Sequence, residues 1–247
     1  MHLALSITPV RVGAREAESS LFLYLTDAGR PIEIEYRLWV IRGGGRTIVV
    51  DTGLPLDEAR RRGITVAVDA GEALRAAGID PQAVDTVILT HLHWDHGSNV
   101  GAFPNAQVVV QRAEIDWLRE PMQRHPSIGR FYSDDLSAFT TLAEQGRLRL
   151  LDGDAAVADG VAVWHVGGHT PGSQMVVVDV DGGRAVICGD AIPLNRNFTD
   201  DIPTSIHGDV RDAIRAMERV RALAPLRIYT GHDPEAQLDL AAPALAG

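Results

Sequence analysis

The run His91 to His96 places three histidines and one aspartate directly after an apolar segment. That segment, Thr86 to Leu89, has the length and composition of a buried β-strand. The first two histidines are two residues apart and can project to one side of an extended loop, whereas Asp95 and His96 are adjacent and must diverge. Neutral imidazole and carboxylate are zinc-type ligands. The run therefore predicts a metal site, and its two directions favour two neighbouring ions over one.

Three further ligand-type residues follow apolar runs in the same way. Each has a glycine nearby, which lets the backbone turn sharply so that the side chain can face a cleft. These residues are His169 after Val161 to Val166, Asp190 after Ala185 to Cys188, and His232 after Leu226 to Tyr229. Packing needs alone rarely place histidine or aspartate at so many strand ends. The recurrence extends the predicted metal site to four segments of the chain.

Asp51 also ends an apolar strand, Thr47 to Val50, and Gly53 follows it closely. Two interpretations are open for this residue. It is either a turn residue or a group that orients a metal-binding histidine through the second ring nitrogen.

Composition favours one large domain, spanning residues 1–247, with a sizeable core. Hydrophobic residues make up 45% of the 247 residues and charged residues 23%, as in ordinary globular proteins. Asp and Glu number 33 against 23 Lys and Arg, a net charge of −10. Nucleic-acid binding needs clustered positive charge, so no nucleic-acid partner is expected.

The single cysteine, Cys188, excludes an internal disulfide and fits a reducing compartment. The first residues have no pattern of a secretory signal, and no apolar run reaches the roughly 18 residues of a membrane span. We therefore expect a cytoplasmic protein without a membrane partner. A homo-oligomer stays open.

Two series of predicted strands alternate with helices along the chain. Three segments have helical patterns, and the apolar spacing from Val210 to Leu223 is that of an amphipathic helix packed on a sheet. The predicted helices are Asp69 to Ala77, Arg112 to Arg119 and Val210 to Leu223. The predicted strands include Leu3 to Thr8, Leu21 to Leu25, Tyr36 to Ile41, Thr47 to Val50, Val108 to Val110, Arg147 to Leu151 and Met175 to Val180, besides those named above. The pattern predicts an α+β fold in which two sheets pack face to face with helices outside.

Pro121 to Phe139 has no regular pattern, and it holds Met122, His125, Phe131 and Tyr132. Irregular segments of this length inside a domain often form lids or binding inserts. Aromatic residues that face the core are the alternative interpretation.

The order of these residues resembles the metallo-β-lactamase superfamily over nearly the whole chain, from Asp51 to His232. Within it, the sequence is similar to the N-acyl-homoserine lactonases. The features that carry this resemblance are His91-x-His93-x-Asp95-His96, the later His169, Asp190 and His232, the strands from Trp39 to Asp51, and the segment from Gly101 to Glu114. The resemblance implies an αββα sandwich with mixed β-sheets and with the site at one edge, between the sheets.

The resemblance also implies two divalent metal ions and the side chains that hold them. Zinc is the expected ion, with manganese, iron and cobalt as alternatives. The implied ligands are His91, His93 and His169 for one ion, Asp95, His96 and His232 for the other, and Asp190 as the bridge between them. A hydroxide shared by the ions would attack the substrate, Asp95 would move a proton to the leaving group, and Asp51 would hold a histidine from behind.

One departure from the lactonases concerns the substrate. They carry a tyrosine three residues after the bridging aspartate that contacts the substrate carbonyl, and Pro193 stands at that place here. Tyr132 or His207 are candidates for the missing donor, although His207 could instead cap the helix that follows. The candidate pocket residues are Met122, Phe131, Tyr132, Ile192, Pro193, Leu194 and His207.

We therefore expect a metal-dependent hydrolase that opens a lactone of small-molecule size. Hydrolysis of a thioester, a phosphoester or a β-lactam on the same metals is the alternative within the enzyme class. A non-catalytic metal-binding module is the alternative of another class. The sequence has no Gly-x-Ser-x-Gly motif, which disfavours a serine hydrolase.

Overall fold

Two β-sheets form the centre of the protein. The structure is a computed structural model and describes residues 5–132 and 137–240. The first sheet contains β1 (Ser6–Glu18), β2 (Pro31–Gly43), β3 (Arg46–Val50), β4 (Val66–Ala67), β5 (Thr86–Ile88), β6 (Gln107–Gln111) and β7 (Leu148–Leu151), in the order β4-β1-β2-β3-β5-β6-β7. The second contains β8 (Ala155–Ala158), β9 (Val161–His165), β10 (Gln174–Val180), β11 (Gly183–Gly189), β12 (Arg227–Thr230) and β13 (Leu238–Asp239), in the order β13-β12-β11-β10-β9-β8.

The sheets pack face to face, as alternating side chains along their strands show. On β10, Val176 and Val178 belong to the core between the sheets, which also contains Trp39 and Ile41 of β2. Met175 and Val177 point to the opposite face of β10 and join a separate core. Because side chains alternate along a strand, a strand covered on both faces has a continuous apolar sequence. This accounts for the unbroken apolar runs in the predicted strands of both sheets.

Helices cover the outer face of each sheet. They are α1 (Leu56–Arg61), α2 (Ala70–Ala76), α3 (Arg112–Arg119), α4 (Pro126–Gly129), α5 (Ser137–Glu144), α6 (Asn195–Thr199) and α7 (Val210–Leu223), and four short 3₁₀ helices accompany them at Ser19–Leu21, Pro81–Ala83, Val100–Ala102 and Pro121–Arg124. Residues of α2, α3 and α5 pack with the first sheet, and residues of α7 pack with the second. The predicted αββα sandwich of mixed sheets is confirmed.

The predicted strand from Leu21 to Leu25 is wrong. Ser19–Leu21 is a 3₁₀ helix, and turns follow it. Leu25 has a φ of 52°, in the left-handed region, which no extended strand adopts. The strand β8 was not predicted, because its small residues have no apolar pattern typical of a strand.

Two further expectations concern the chain as a whole. Within residues 5–132 and 137–240, none of the helices combines the length and the apolar character needed to cross a bilayer. The single domain of residues 1–247 and the cytoplasmic location stay predictions.

The strand directions bring the carboxyl ends of several strands to one edge of the sandwich. In the first sheet, β3, β5 and β6 run parallel. In the second sheet, β11 and β12 run parallel, and β9 has the same direction because it and β11 are both antiparallel to β10. Loops that follow these strands therefore meet where the two sheets face each other.

The loop after β9 is docked on the first turn of α7 through Gly168. Its φ is +80°, and a Cβ here would lie 2.6 Å from the backbone nitrogen of Ala213. Gly44 has a similar φ of +59° with nothing within 4 Å of an added Cβ. We expect Gly44→Ala to lower the free energy of unfolding by about 1–2 kcal/mol, the cost of the left-handed backbone. Gly168→Ala should cost about 1–3 kcal/mol more because of overpacking.

Urea unfolding followed by circular dichroism measures both changes in free energy. Equal losses in the two variants would mean that the contact between the loop and α7 is not tight.

Candidate metal centre

Seven histidine and aspartate side chains converge where the strand ends meet. The loop after β5 supplies four, and the ends of β9, β11 and β12 supply one each. They form two groups, His91, His93, His169 and Asp190 in one, and Asp95, His96 and His232 in the other, and within each group the ligand atoms lie within 4.8 Å of one another. All seven residues are buried. The structure thus brings together every residue that the resemblance implied as a ligand.

The three histidines of the first group place one ring nitrogen each around a common point. Nε2 of His169 lies 2.9 Å from Nδ1 of His93 and 3.2 Å from Nε2 of His91. Nitrogens bound to one tetrahedral ion at the usual distance are about 3.3 Å apart. The spacing therefore matches three ligands of a single ion.

Asp190 lies between the histidines of the two groups, and its Oδ2 is 3.3 Å from Nε2 of His232. Its Oδ1 is 3.3 Å from Nε2 of His96 and 3.1 Å from Nε2 of His232. Its Oδ2 is 3.5 Å from Nε2 of His169. Asp95 completes the second group, with Oδ2 3.6 Å from the same nitrogens of His96 and His232. A carboxylate in this position can bind two ions at once.

Bonds behind the imidazoles fix which ring nitrogen faces the centre. Nδ1 of His232 lies 2.9 Å from the carbonyl oxygen of Glu35, and Nδ1 of His169 lies 2.5 Å from that of Ile206. Nδ1 of His96 lies 2.8 Å from Oδ2 of Asp51. Since these oxygens only accept, each Nδ1 must donate, and each Nε2 is left with a lone pair directed inward.

This arrangement needs a cation. Nε2 of His96 and Oδ1 of Asp190 are buried and have no hydrogen-bond partner among the described residues. Lone pairs that face one another at about 3 Å repel unless a positive charge lies between them, and neutral imidazole with carboxylate is the donor set of zinc and related ions. The residues therefore fit two divalent metal ions.

The histidines of the two groups differ in the direction of their pKa shifts. Burial lowers the pKa of His91, His93 and His169. Burial acts the same way on His96 and His232, but nearby carboxylates, Asp190 first, raise the pKa of both above the usual value. The second group would thus hold protons against Asp190, and metal binding replaces such protons.

Glu114 of α3 is a buried carboxylate that the sequence did not point to. Its Oε2 accepts a hydrogen bond of 2.8 Å from the amide of Leu92, and its Oε1 accepts one of 2.7 Å from the amide of Gly172. Burial raises its pKa. Glu114 therefore ties the loop of His91 and His93 to the loop of His169. In the sequence, Glu114 cannot be distinguished from a solvent-exposed glutamate on a short polar helix. Only the tertiary contacts reveal that it is buried.

Two cavities open beside the cluster. The larger, of about 1030 Å³, reaches His93 and His169, and mostly apolar side chains line it, among them Leu21, Tyr24, Trp117, Ile128 and Phe131. The smaller, of about 290 Å³, reaches His93, Asp95, Asp190 and His232. Both touch His93, Arg130, Phe131 and Ile206, so they meet at the candidate metal centre.

Four of the seven predicted pocket residues line the larger cavity: Met122, Phe131, Tyr132 and His207. The other three, Ile192, Pro193 and Leu194, are buried and line neither cavity. Ile192 packs in the core beneath α7 and Leu194 in the core of the first sheet. Their segment turns inward, since the carbonyl of Pro193 accepts a hydrogen bond of 2.7 Å from the amide of His232.

The two candidate donors differ in what they contact. The hydroxyl of Tyr132 accepts a hydrogen bond of 3.0 Å from Nε1 of Trp117, while its ring lies edge-on against His93. His207 stacks edge-on with Tyr24, and its Nε2 is buried without a partner among the described residues. Asp209, rather than His207, caps α7, by accepting from the amide of Arg211.

His125 and Cys188, named in the sequence analysis, and a further histidine, His165, lie outside the cluster. His125 caps the short α4, and Nε2 of His165 lies 2.9 Å from the carbonyl of Pro171. Cys188 is buried in the core beneath α7, and burial raises the pKa of its thiol.

The hydrogen bond between Oδ2 of Asp51 and Nδ1 of His96 can be tested by substitution of Asp51. In Asp51→Asn, an amide NH₂ can face Nδ1 of His96, which would then accept and carry its proton on Nε2, toward the metal. We expect an affinity for divalent metal lower by about 10–100-fold, measured by competition with a chromophoric chelator. Asp85→Asn is the matched control, because Asp85 accepts from the amide of Thr47 at the opposite end of the same strands. Wild-type affinity in Asp51→Asn would contradict this role.

Comparisons with known proteins agree with the fold and the cluster. The family model described as the metallo-beta-lactamase superfamily matches residues 38–232. An N-acyl homoserine lactonase from a Bacillus species is 26% identical over 207 residues, which cover 76% of this chain and 77% of that protein. N-acyl homoserine lactonase AttM from Azorhizobium caulinodans is 27% identical over 179 residues, which cover 66% of this chain and 63% of that protein.

Solved structures show the same fold. The crystal structure of a quorum-quenching N-acyl homoserine lactone lactonase matches with a TM-score of 0.76 at 22% identity, over 95% of this chain and 94% of that one. AidC, a dizinc quorum-quenching lactonase, matches with a TM-score of 0.75 at 18% identity, over 99% of this chain and 94% of that one. Since the family model spans most of its length, the chain belongs to the metallo-β-lactamase superfamily, in which it resembles the N-acyl homoserine lactonases.

Proposed function

We propose that this protein is a dinuclear metal-dependent hydrolase that opens the ring of a lactone bearing an apolar chain. The observation that carries this proposal is the position of the seven-residue cluster, which forms the floor where an apolar cavity and a polar cavity meet. Relatives that are 25–27% identical over about two thirds or more of the chain are named N-acyl homoserine lactonases, which supports this substrate class.

In this proposal, His91, His93 and His169 would hold one ion, Asp95, His96 and His232 would hold the other, and Asp190 would contribute to both. Two divalent ions, zinc first among the candidates, supply a polarised ester carbonyl and a water of lowered pKa. Asp51 keeps the metal-facing nitrogen of His96 unprotonated.

Asp95 has a second part in the proposed reaction. It is 8% exposed and lines the smaller cavity, so its carboxylate is accessible to a bound substrate. We assign to it the transfer of a proton from the attacking water to the alcohol oxygen that leaves when the ester bond breaks.

The larger cavity suits the acyl chain of such a substrate. Its volume of about 1030 Å³ is at the upper end of the range for small-molecule sites. Leu21, Tyr24 and Met122 expose large apolar surfaces at this cavity, and exposed apolar side chains grouped around a cavity indicate ligand binding. A lactone whose ring lies at the metals can place its chain there.

The first test is hydrolysis by protein of known metal content. Matched lactone, thioester, phosphodiester and β-lactam substrates are compared, with a chelator-treated sample as control. We expect opening of lactones that is lost with the chelator and restored by added metal. His93→Ala should lose at least about 100-fold in kcat/KM, because it removes a ligand that also faces both cavities.

Other results of the same test would change the assignment. Activity confined to another substrate class would keep the metal centre and move the function to that class. Two bound metals without turnover of any class would favour a metal-binding module. Full activity in His93→Ala would contradict the ligand assignment itself.

The apolar cavity predicts a dependence on acyl-chain length. From butanoyl to octanoyl homoserine lactone, KM should fall by up to about fourfold for each added methylene that is buried. Leu21→Asp should weaken this dependence by placing a charge in the cavity wall. Ile214→Asp is the matched control, because Ile214 is 40% exposed, Leu21 is 41% exposed, and Ile214 lines neither of the two cavities at the cluster.

Steady-state kinetics over the substrate series measures the dependence. A KM that does not change with chain length, or the same slope in Leu21→Asp and wild type, would place the acyl chain elsewhere.

A further inference from the structure

The smaller cavity contains two hydrogen-bond donors that nothing in the described chain satisfies. Its floor is formed by Asp95, Asp190 and His232 of the candidate metal centre, and its wall includes Tyr36 and Arg15. Both the Tyr36 hydroxyl and the Arg15 Nε are buried and lack a hydrogen-bond partner among residues 5–132 and 137–240. Buried donors are nearly always paired, because an unpaired one costs free energy. Two such donors in one cavity indicate a ligand that accepts hydrogen bonds.

Tyr36 is held rigidly beside the metal ligands. It is 2% exposed, and its ring packs edge-on against His232 with 5.4 Å between the ring centroids. The ring of Trp94 lies at the same distance on another side. Opposite Tyr36 on β1 is Gly13, which has no side chain to fill the space. The phenol is thus fixed in position before any ligand binds.

Arg15 reaches the same place from the neighbouring strand. It pairs with Ile34 in the register of β1 and β2, two positions along from the pair of Gly13 and Tyr36, so its side chain lies on the same face as Tyr36. Its guanidinium lies 6.0 Å from the centre of the Tyr36 ring. It forms no ion pair with the described residues, so its charge is available.

Two further arginines line this cavity. Arg62 stacks on Trp94 and is paired with Glu58. Arg130 stacks on Phe131 and has no ion pair with the described residues. The carboxylates in the cavity, Asp95 and Asp190, are those that two metal ions would neutralise. A chain with a net charge of −10 therefore presents an arginine-lined cavity at its candidate active site.

We propose that the smaller cavity is a binding site for an anionic oxygen group, carboxylate or phosphate, which Tyr36 and Arg15 hold beside the metal centre. A guanidinium and a hydroxyl are suitable partners for such a group, because hydrogen bonds to a charged acceptor are stronger than neutral ones. Arg130 and Arg62 attract the anion to the opening. The site deepens the proposed function, on which it rests for the source of the anion: ring opening of a lactone produces a carboxylate at the metals.

The test compares two ligands that differ only in charge. N-hexanoyl-homoserine carries a free carboxylate, and its primary amide does not. We measure binding of both to the metal-loaded protein by isothermal titration calorimetry. The acid should bind more tightly than the amide, and this preference should fall about tenfold or more in Arg15→Gln and several-fold in Tyr36→Phe. Arg15→Lys keeps the charge and should retain part of the preference.

Two matched variants control for general effects of substitution. Arg42→Gln removes an exposed arginine of β2, and Tyr229→Phe removes a hydroxyl in the second sheet, and neither residue lines either cavity. Both should keep the wild-type preference, and every variant should contain two metal ions by mass spectrometry. If Arg15→Gln and Tyr36→Phe also keep the preference with both metals bound, the metals alone select the anion and the proposal is wrong. An acid that binds wild type no better than its amide would likewise contradict the anion site.

Phenyl phosphate as a further probe separates the two sources of the anion. Tighter binding of phenyl phosphate than of the acid, lost in the same variants, would assign the site to a phosphate ester. That result would support the anion site while contradicting the lactone as substrate. Failure of the proposed function is seen separately, in the absence of chelator-sensitive lactone opening by wild type.

Thermal unfolding gives a readout that is independent of any ligand. If the Tyr36 hydroxyl has no partner in the free protein, Tyr36→Phe should leave the unfolding midpoint unchanged or raise it. A clearly lowered midpoint would show that the hydroxyl already has a partner within the protein, and would overturn its availability for a ligand.

Discussion

The carboxylate of Asp51 connects the strand β3 to the loop of the candidate metal centre. It accepts hydrogen bonds from the amide and hydroxyl of Thr90 and from Nδ1 of His96, and it is fully buried. Its backbone φ of 60° is in the left-handed region, which is unfavourable for a residue other than glycine. The next residue, Thr52, binds the carbonyl of His96 through both its amide and its hydroxyl. One strained turn at the end of β3 thus holds both ends of the loop that carries four ligands.

The seven ligand-type residues could be predicted because each is marked locally, by an apolar strand before it and a glycine nearby. Three of the outer helices, α2, α3 and α7, followed from local sequence patterns for the same reason, whereas α4, α5 and α6 were not predicted. No local sequence pattern of this kind distinguishes Tyr36 or Arg15. Tyr36 lies inside an apolar strand and has the pattern of a core residue, and Arg15 has that of a solvated strand residue. Their relation depends on the register of β1 and β2, which only the tertiary structure gives.

The predicted strand from Leu21 to Leu25 fails for a related reason. Its apolar side chains suggested a sheet, yet Leu21, Tyr24 and Leu25 border the larger cavity. An apolar run predicts that its side chains are buried, and a bound ligand can bury them as well as a sheet can. The two cavities consequently differ in character. One offers apolar surface and the other offers charge, and a substrate that spans both would be oriented before its ester bond reaches the metals.

Each group of ligands draws on both sheets. His91 and His93 come from the first sheet, and His169 and Asp190 come from the second; Asp95 and His96 likewise face His232 across the same gap. A metal ion in either group would therefore be a further cross-link between two layers that already adhere through apolar packing and through hydrogen bonds, such as the one of 2.8 Å from Nε2 of Gln111 to Oε1 of Gln174. Such a cross-link stabilises the folded state by an amount that grows with the logarithm of the free metal concentration. The free metal concentration around the protein would then help to set the fraction of the protein in which the two layers are folded together.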